Sequence, residues 1–403
     1  MDKKQSMKIA LAGGGTGGHL AIIAALAQEI NSQSQNSQSQ NSQSSFSFEQ
    51  PIFIGSLRGQ DRAWFEHSPL FKKCYFLPSS PLAGGILAKL KTLFALPILV
   101  FRSAKILREH KISALLFAGG YSGAAAAIAA ILLRIPLFLH EQNSRAGLAN
   151  RAFAPFAKKS FCSFTSTLPY PVRAEFLSIL RPRTKLKSLL FLGGSQGASF
   201  ISKLFITLAP KLEAMGICCV LQAGKNYEAS LEELKGLLGE RDCGKSSIDC
   251  GANDTDCGKS DTKSASFRQG RIRVFDFSQS LWEEIKAADF CVSRAGASAL
   301  FELLYSKTPA LFIPYPHAAR NHQFFNALHF EQLGLCMLLE QKDASCEAVL
   351  KQLEGFDELS QRLWQHDFGQ SSDFDQSQNS HSQDLSPSPK PQACSLILSS
   401  FSH

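Results

Sequence analysis

Twice in this chain a short apolar run passes straight into a cluster of glycines and out into a helical pattern. The first copy is Lys8-Ile9-Ala10-Leu11-Ala12, then Gly13-Gly14-Gly15-Thr16-Gly17-Gly18-His19, then Ala, Ile and Leu at helical spacing up to Ile30. The second is Ser188-Leu189-Leu190-Phe191-Leu192, then Gly193-Gly194-Ser195-Gln196-Gly197, with a helix from Ala198 onward. A strand, a tight turn and a helix start leave backbone N–H groups unpaired and aimed at one point, which suits an anion, usually a phosphate. After each copy the chain alternates strand and helix patterns. The spacing therefore predicts an α/β protein of two doubly wound, Rossmann-like domains. With 403 residues there is chain enough for each to bury its own core.

Biased segments bound those domains. Residues 31–45 are near-copies of Asn-Ser-Gln-Ser-Gln, which cannot build a core, so a disordered insert is expected over about 31–48. A second insert is expected over about 241–269, where Asp-Cys-Gly recurs at Cys243, Cys250 and Cys257. Its single thiols lack the paired spacing of structural zinc sites, and its Asp254-Thr255-Asp256 only superficially resembles a metal-binding D-x-D. Beyond them, a Ser/Gln/Pro-rich tail fills 366–403, apart from an apolar Leu396-Ile397-Leu398. The expected organisation is a first domain over 1–168, a linker over 169–186 stiffened by Pro169 and Pro171, and a second domain over 187–365.

Charge and cysteine usage narrow the partners. The formal charge of +8 permits anionic ligands such as sugar nucleotides or acidic lipid, and no nucleic-acid-binding module is recognisable. Eleven Cys without a paired framework, and a polar N-terminus, point to a reducing cytoplasmic setting. Residues 112–133 carry no charge over a length that could span a bilayer, yet they read as strand, glycine turn and alanine-rich helix. Residues 82–110 are helical in pattern, interrupted by Pro97. They mix Leu82, Ile86, Leu90 and Phe94 with Lys89, Lys91, Arg102 and Lys105, either a packed helix with a solvated face or a surface that dips into anionic lipid.

Gly13, Gly15 and Gly18 satisfy the dinucleotide fingerprint G-x-G-x-x-G, but that fold needs an acid ending the second strand. Here the strand ends Ile54-Gly55-Ser56, and Asp61 stands well past it. The second half offers better nucleotide chemistry. A strand at Asp289-Phe290-Cys291-Val292 turns through Ser293-Arg294-Ala295-Gly296-Ala297 into a helix carrying Glu302, a carboxylate suited to ribose hydroxyls or to the helix dipole.

Gly14 to His19, Gly119-Gly120-Tyr121, His140-Glu141-Gln142-Asn143, Gly193 to Gly197, Ser293 to Ala297 and His322-Gln323 stand in the order of one family. Over roughly 7–365, inserts aside, the chain resembles the undecaprenyldiphospho-muramoylpentapeptide β-N-acetylglucosaminyltransferases, GT-B enzymes of glycosyltransferase family 28. The resemblance implies two Rossmann-like domains facing across a cleft. It implies inverting transfer of N-acetylglucosamine from its UDP donor to lipid I, giving lipid II for peptidoglycan, with no cofactor and no essential metal. The implied partners are UDP-N-acetylglucosamine, lipid I, the anionic cytoplasmic face of the inner membrane as a peripheral site, and other cell-wall synthesis enzymes, but no nucleic acid. Departures stand at Ala299, where the family often has Thr, and at Phe301, where it has a small polar residue.

Residue by residue, the resemblance assigns Gly194, Ser195 and Gln196 to the UDP diphosphate, with Arg173 neutralising it. Glu302 holds the ribose and Ala297 opens the helix against the nucleotide. Asn143 and Gln323 contact the donor sugar. Thr16, Gly17 and Gly18 approach both donor sugar and acceptor diphosphate, with Gly14, Gly15, Gly119, Gly120 and Tyr121 on the acceptor. Inversion needs a base on the acceptor hydroxyl. His19 is the first candidate, its alternative being a ring that orients the loop or the acceptor phosphate. Glu141 is the reserve, its alternative being a helix cap. Other readings are a GT-B enzyme with a soluble acceptor, a UDP-sugar epimerase, and a non-enzymatic sugar-nucleotide scaffold.

Overall fold

The computed structural model describes residues 5–36, 46–79, 86–164, 170–194, 197–238, 266–278, 280–368, 397 and 400–401. The chain divides into two compact units, one comprising Met1–Ala174 with Asp367–His403, the other Glu175–His366.

The first unit is built on a 6-stranded parallel sheet. Its spatial order is Lys73–Leu77, Ile52–Ser56, Ile9–Ala12, Ala114–Phe117, Leu137–Glu141 and Lys159–Cys162. The central strands Ile9–Ala12, Ile52–Ser56 and Ala114–Phe117 are buried throughout, as a sheet covered on both sides requires. The uncharged stretch resolves into the strand Ala114–Phe117 and the helix Ala124–Leu132, whose alanines pack flat against the sheet. Among the described residues, no helix is long and apolar enough to cross a membrane.

The second unit repeats the plan. Parallel strands Ile272–Phe275, Cys218–Gln222, Ser188–Leu192, Phe290–Ser293, Ala310–Phe312 and Met337–Leu338 lie in that order, with Ser266–Gln269 added antiparallel at the edge. Its core joins Leu189, Phe191 and Val292 of the sheet to Ile201, Phe205 and Leu208 of the helix Ser199–Ala214.

In both units the strand next to the glycine turn is flanked by strands reached in opposite directions. That is the topological switch point of a doubly wound sheet, where loops diverge and leave a crevice at the carboxyl ends of the strands. Each crevice is lined by the glycine turn itself and by the loop after the neighbouring strand.

Several expected boundaries move. The first helix runs Gly17–Asn36, a turn and a half into the polar tract. Side-chain bonds carry it: Asn31 Nδ2 to the Leu70 carbonyl at 2.9 Å, Ser32 Oγ to the Gln28 carbonyl at 3.0 Å, and Gln33 Nε2 to Glu29 Oε1 at 2.9 Å. Residues 46–48 are not part of a disordered insert: Phe46–Phe48 pairs in parallel with Gln5–Met7. The second insert likewise ends earlier than expected, because Ser266–Gln269 closes a tight hairpin onto Ile272–Phe275. Cys243, Cys250, Cys257 and the Asp254-Thr255-Asp256 run lie outside the described residues. At the far end of the tail Ile397 and Phe401 are buried, and the Phe401 ring meets Phe138 edge-on at 4.4 Å.

The helix Ile86–Glu109 contains Pro97 without ending there. It buries Leu99, Ser103, Ile106 and Leu107, while Phe94, Ile98 and Phe101 stay exposed at 77%, 59% and 71%. Their spacing puts them on one stripe.

Core packing makes a direct prediction for the second unit. Phe205 is fully buried and meets Phe191 edge-on at 5.3 Å. Phe205→Ala is expected to cost about 3–5 kcal/mol through lost transfer energy and the cavity left behind, read as a lower urea midpoint.

Candidate functional site

The glycine turn of the first unit is tied down from below. Gly13 N–H donates to the Ile54 carbonyl at 3.4 Å and Gly14 N–H to the Gly119 carbonyl at 3.3 Å. Gly15 N–H donates to Asp61 Oδ1 at 2.6 Å, and the other carboxylate oxygen takes Ser56 N–H at 2.8 Å. These three amides are committed inside the protein. The opening turn of the helix Gly17–Asn36, whose first intrahelical bond is Leu20 N–H to the Thr16 carbonyl at 3.3 Å, leaves donors that include those of Thr16, Gly17 and Gly18. The anion point therefore lies at the helix start rather than across the whole turn.

Gly119 and Gly120 make the fit between the two loops. Both have positive φ, and a Cβ at Gly119 would stand 2.9 Å from His19 Nε2, while one at Gly120 would run into the Gly14 carbonyl. Only glycine lets the second loop close on the first. Tyr121 lies against Gly15, and burial followed by the Asp61 charge pushes its phenol above the ordinary range.

His19 sits half-buried at this junction, with Thr16 Oγ1 2.7 Å from its Nδ1. If Nδ1 carries the proton and donates to the hydroxyl, Nε2 holds the lone pair of a base. The opposite tautomer makes Nε2 a donor to a phosphate or hydroxyl. His140 lies deeper, fully enclosed, with Ser163 Oγ 3.3 Å from Nε2 and Tyr170 packed edge-on. Burial, then the nearby His19, pulls its pKa from 6.5 to about 3.

Glu141 is occupied as an acceptor. Oε1 takes the Asn143 N–H at 3.0 Å and Asn143 Nδ2 at 3.3 Å; Oε2 takes Gly147 N–H and Asn150 Nδ2, each at 2.8 Å. It shapes the loop into the helix Leu148–Phe153 and orients the Asn143 amide. Arg173 belongs to the same unit, its guanidinium 5.8 Å from the Trp64 ring centre, and Trp64 also flanks Gly17.

In the second unit Gly193 N–H donates to the Gln222 carbonyl at 2.9 Å and Gly197 N–H to the Gly194 carbonyl at 3.0 Å, so the turn opens at exposed Gly194. Ser195 and Gln196 lie outside the described residues. Ala297 begins the helix Ala297–Tyr305. Glu302 stands in the second turn of that helix, not the first, so the dipole explanation for it lapses. Its carboxylate is buried and takes Ser298 Oγ at 3.4 Å. Gln323 Oε1 accepts Tyr315 N–H at 2.9 Å, which orients its amide at the start of the helix His322–Glu331. Phe301 turns into the core, against Phe330 at 5.5 Å and Tyr305 at 6.2 Å, so the bulky residue is absorbed by packing.

Sequence reasoning missed two residues. Asp61, dismissed by its distance along the chain, opens the short helix Asp61–Phe65 and folds back beneath the glycine turn. Burial pushes its carboxyl above the ordinary range against the pull of the Gly15 and Ser56 amides. Arg294 donates to the carbonyls of Ile313 and Pro314 at 3.0 and 3.1 Å and to Gln341 Oε1 at 2.7 Å. Its guanidinium lies 5.6 Å from both the Phe200 and Tyr315 ring centres. The signal for each was a charged residue inside or just after a glycine turn. Among the described residues, no group of three metal-ligating side chains assembles.

Comparison with known proteins covers nearly the whole chain. Residues 9–162 match the glycosyltransferase family 28 N-terminal domain and 188–372 its C-terminal domain. The UDP-N-acetylglucosamine–N-acetylmuramyl-(pentapeptide) pyrophosphoryl-undecaprenol N-acetylglucosamine transferase of Campylobacter jejuni subsp. doylei is 37% identical over 362 residues, 89% of this chain and 93% of that protein. The crystal structure of Acinetobacter baumannii MurG superposes with a TM-score of 0.61 at 20% identity, covering 98% of this chain and 99% of that one. The UDP-GlcNAc 2-epimerase of Neisseria meningitidis, bound to UDP-GlcNAc, gives 0.55 at 12% identity, covering 98% and 99%. The structural likenesses show the fold, the two-domain α/β GT-B class.

The enclosed His140 sets a pH dependence. Its imidazole stays neutral in the fold until about pH 3 but takes a proton below 6.5 once unfolded. The unfolded state binds more protons in that window, so stability falls as the pH drops from 6.5, by up to about 1.4 kcal/mol per pH unit. His140→Gln is expected to flatten the fall of melting temperature between pH 7 and 5.

Proposed function

The chain belongs to glycosyltransferase family 28, and from that premise we propose the following reaction. The enzyme transfers N-acetylglucosamine from UDP-N-acetylglucosamine to the N-acetylmuramoyl sugar of lipid I, inverting the anomeric carbon and giving the β-1,4-linked disaccharide of lipid II. The full-length relationship to transferases named for that reaction supports the substrates. The observation that carries the mechanism is the Thr16–His19 pair at the helix start of the first switch point.

His19 Nε2 takes the proton of the acceptor hydroxyl while Nδ1–H is held by Thr16. The acceptor oxygen then bonds to the anomeric carbon, and the bond to UDP breaks with its electron pair on the diphosphate. Glu141, engaged by four N–H donors, serves as the brace that aims Asn143 at the donor sugar. In the second unit Glu302 holds the ribose, Ala297 abuts the nucleotide and Gln323 reaches the sugar. Gly194, Ser195 and Gln196, together with Arg173, are assigned to the charge on the leaving diphosphate, where backbone N–H groups and a guanidinium can stabilise it without a bound metal. Gly119, Gly120 and Tyr121, with the amides of 16–18, cradle the acceptor's diphosphate.

The exposed stripe of Phe94, Ile98 and Phe101 is bordered by exposed Arg102 and Lys105. Apolar rings flanked by cations suit the interface of an anionic bilayer, and we place the enzyme as a peripheral protein on the cytoplasmic face of the inner membrane.

UDP release on mixing UDP-N-acetylglucosamine with a soluble lipid I analogue tests the reaction. Release without acceptor, or epimerisation of the donor, would favour the epimerase that shares the fold. His19→Ala is expected to lower kcat by about 10²–10⁴-fold with donor affinity unchanged within twofold; an equal loss of donor affinity would move His19 to the nucleotide. Phe94→Asp with Phe101→Asp should abolish co-sedimentation with phosphatidylglycerol vesicles and leave turnover of the soluble acceptor intact.

A further inference from the structure

Asp61 is the buried charge that the reaction as described does not use. It has no exposed surface, and its two carboxylate oxygens are divided between Gly15 N–H at 2.6 Å and Ser56 N–H at 2.8 Å. A side chain on Gly14 would collide with it, and one on Gly55 would stand 2.8 Å from Oδ2, so the turn and the strand end close over the carboxylate on two sides. In a dinucleotide-binding G-x-G-x-x-G turn the backbone at the second glycine approaches the pyrophosphate. Here that glycine is Gly15, and its N–H is already taken by a carboxylate of the protein.

We propose that Asp61 is the positioning residue of the first-unit cradle: its carboxylate stands in for a phosphate on the Gly15 amide, holds the turn in its binding shape without ligand, and confines the acceptor's diphosphate to the amides of Thr16, Gly17 and Gly18 beside His19. The inference rests on the reading of this turn as the acceptor cradle. Two physical effects support it. A buried charge is poorly screened, so a second anion placed at Gly15 is repelled. A turn already satisfied in its amides needs no reordering when ligand arrives, which spares the ordering cost of binding. The same contact explains why the fingerprint does not make this a dinucleotide site. An acid does follow the second strand, at the start of the short helix Asp61–Phe65, but it faces the turn instead of a ribose.

Two experiments test the assignment. In the wild-type protein, backbone amide resonances are followed while a soluble prenyl-diphosphoryl-muramoyl-pentapeptide is added. Slowed exchange at Thr16, Gly17 and Gly18 with Gly15 unchanged is the expected result; a new protection or large shift at Gly15 overturns the proposal. In Asp61→Asn, which keeps the shape but turns a donor toward one of the two amides, acceptor KM should rise about 10- to 100-fold, the loss of one charge-assisted hydrogen bond. Donor KM should stay within twofold, and Asp61→Glu, which keeps the charge, should recover acceptor KM at least in part. A merely structural role would reduce the active fraction, lowering kcat without separating the two KM values, and that outcome overturns it. Gly17→Pro, which removes one cradle N–H at the first helical position where proline is tolerated, reports on the underlying reading. If Gly17→Pro raises acceptor KM and Asp61→Asn does not, the Asp61 assignment alone falls. If neither does, and no amide of 15–18 responds to the ligand, the acceptor-cradle reading falls with it.

Discussion

The order of strands in each sheet is the constraint on which the rest depends. A parallel sheet wound outward in both directions from one strand must send two neighbouring connections to opposite faces, and the crevice between them cannot be filled by either. In the first unit that crevice opens between Ile9–Ala12 and Ala114–Phe117, and in the second between Ser188–Leu192 and Phe290–Ser293. His19 and the glycines of both turns follow these strands or a direct neighbour closely. The chain needs no long excursion to bring them together within a unit.

The crevice supplies a place; the backbone bonds in it decide what the place can hold. A helix start offers unpaired N–H groups, and a free glycine turn would offer more. In the first unit the turn's own donors are answered from within by Ile54, Gly119 and Asp61. Only the helix start faces outward. His19 is held at that spot by Thr16 from its own turn and by the room that Gly119 leaves for its ring. A titratable ring and the unpaired donors of a helix start share one corner because both depend on the same first turn of the helix Gly17–Asn36.

What could be read from the sequence was whatever local pattern encodes. Both glycine turns, the strands feeding them and the alanine-rich helix follow from apolar runs and breakers within about ten residues. Contacts that close over longer separations were not legible. Asp61 lies 46 residues from Gly15, and nothing in the spacing says that the short helix it opens folds back under the turn. Arg294 reaches Gln341, 47 residues on, and stacks near Phe200 from the helix of the other turn. The polar tract misled for another reason. Composition predicts no core, but Asn31, Ser32 and Gln33 extend a helix by bonding to groups already in place, without needing one. Glu302 shows the reverse error, since a position near a helix start in sequence proved to be its second turn, where the dipole no longer reaches.

The two turns look alike in sequence but lie beside charges of opposite sign. The first closes over the buried carboxylate of Asp61. The second runs into the helix Ser199–Ala214, where the Phe200 ring lies 5.6 Å from the half-buried guanidinium of Arg294. Buried charges are screened least, so they set the local field more than the exposed lysines and arginines that dominate the net charge. In a glycosyl transfer from a nucleotide sugar, negative charge grows on one diphosphate only, that of the leaving nucleotide. A diphosphate on the acceptor keeps the same charge throughout and needs holding, not stabilising. Under the proposed reaction, a cation on the side of the second turn would serve the group whose charge changes. An internal anion beneath the first restricts where an unchanging diphosphate can lie. Under the proposed reaction, the difference between two similar halves rests on one buried acid, Asp61, and one half-buried guanidinium, Arg294.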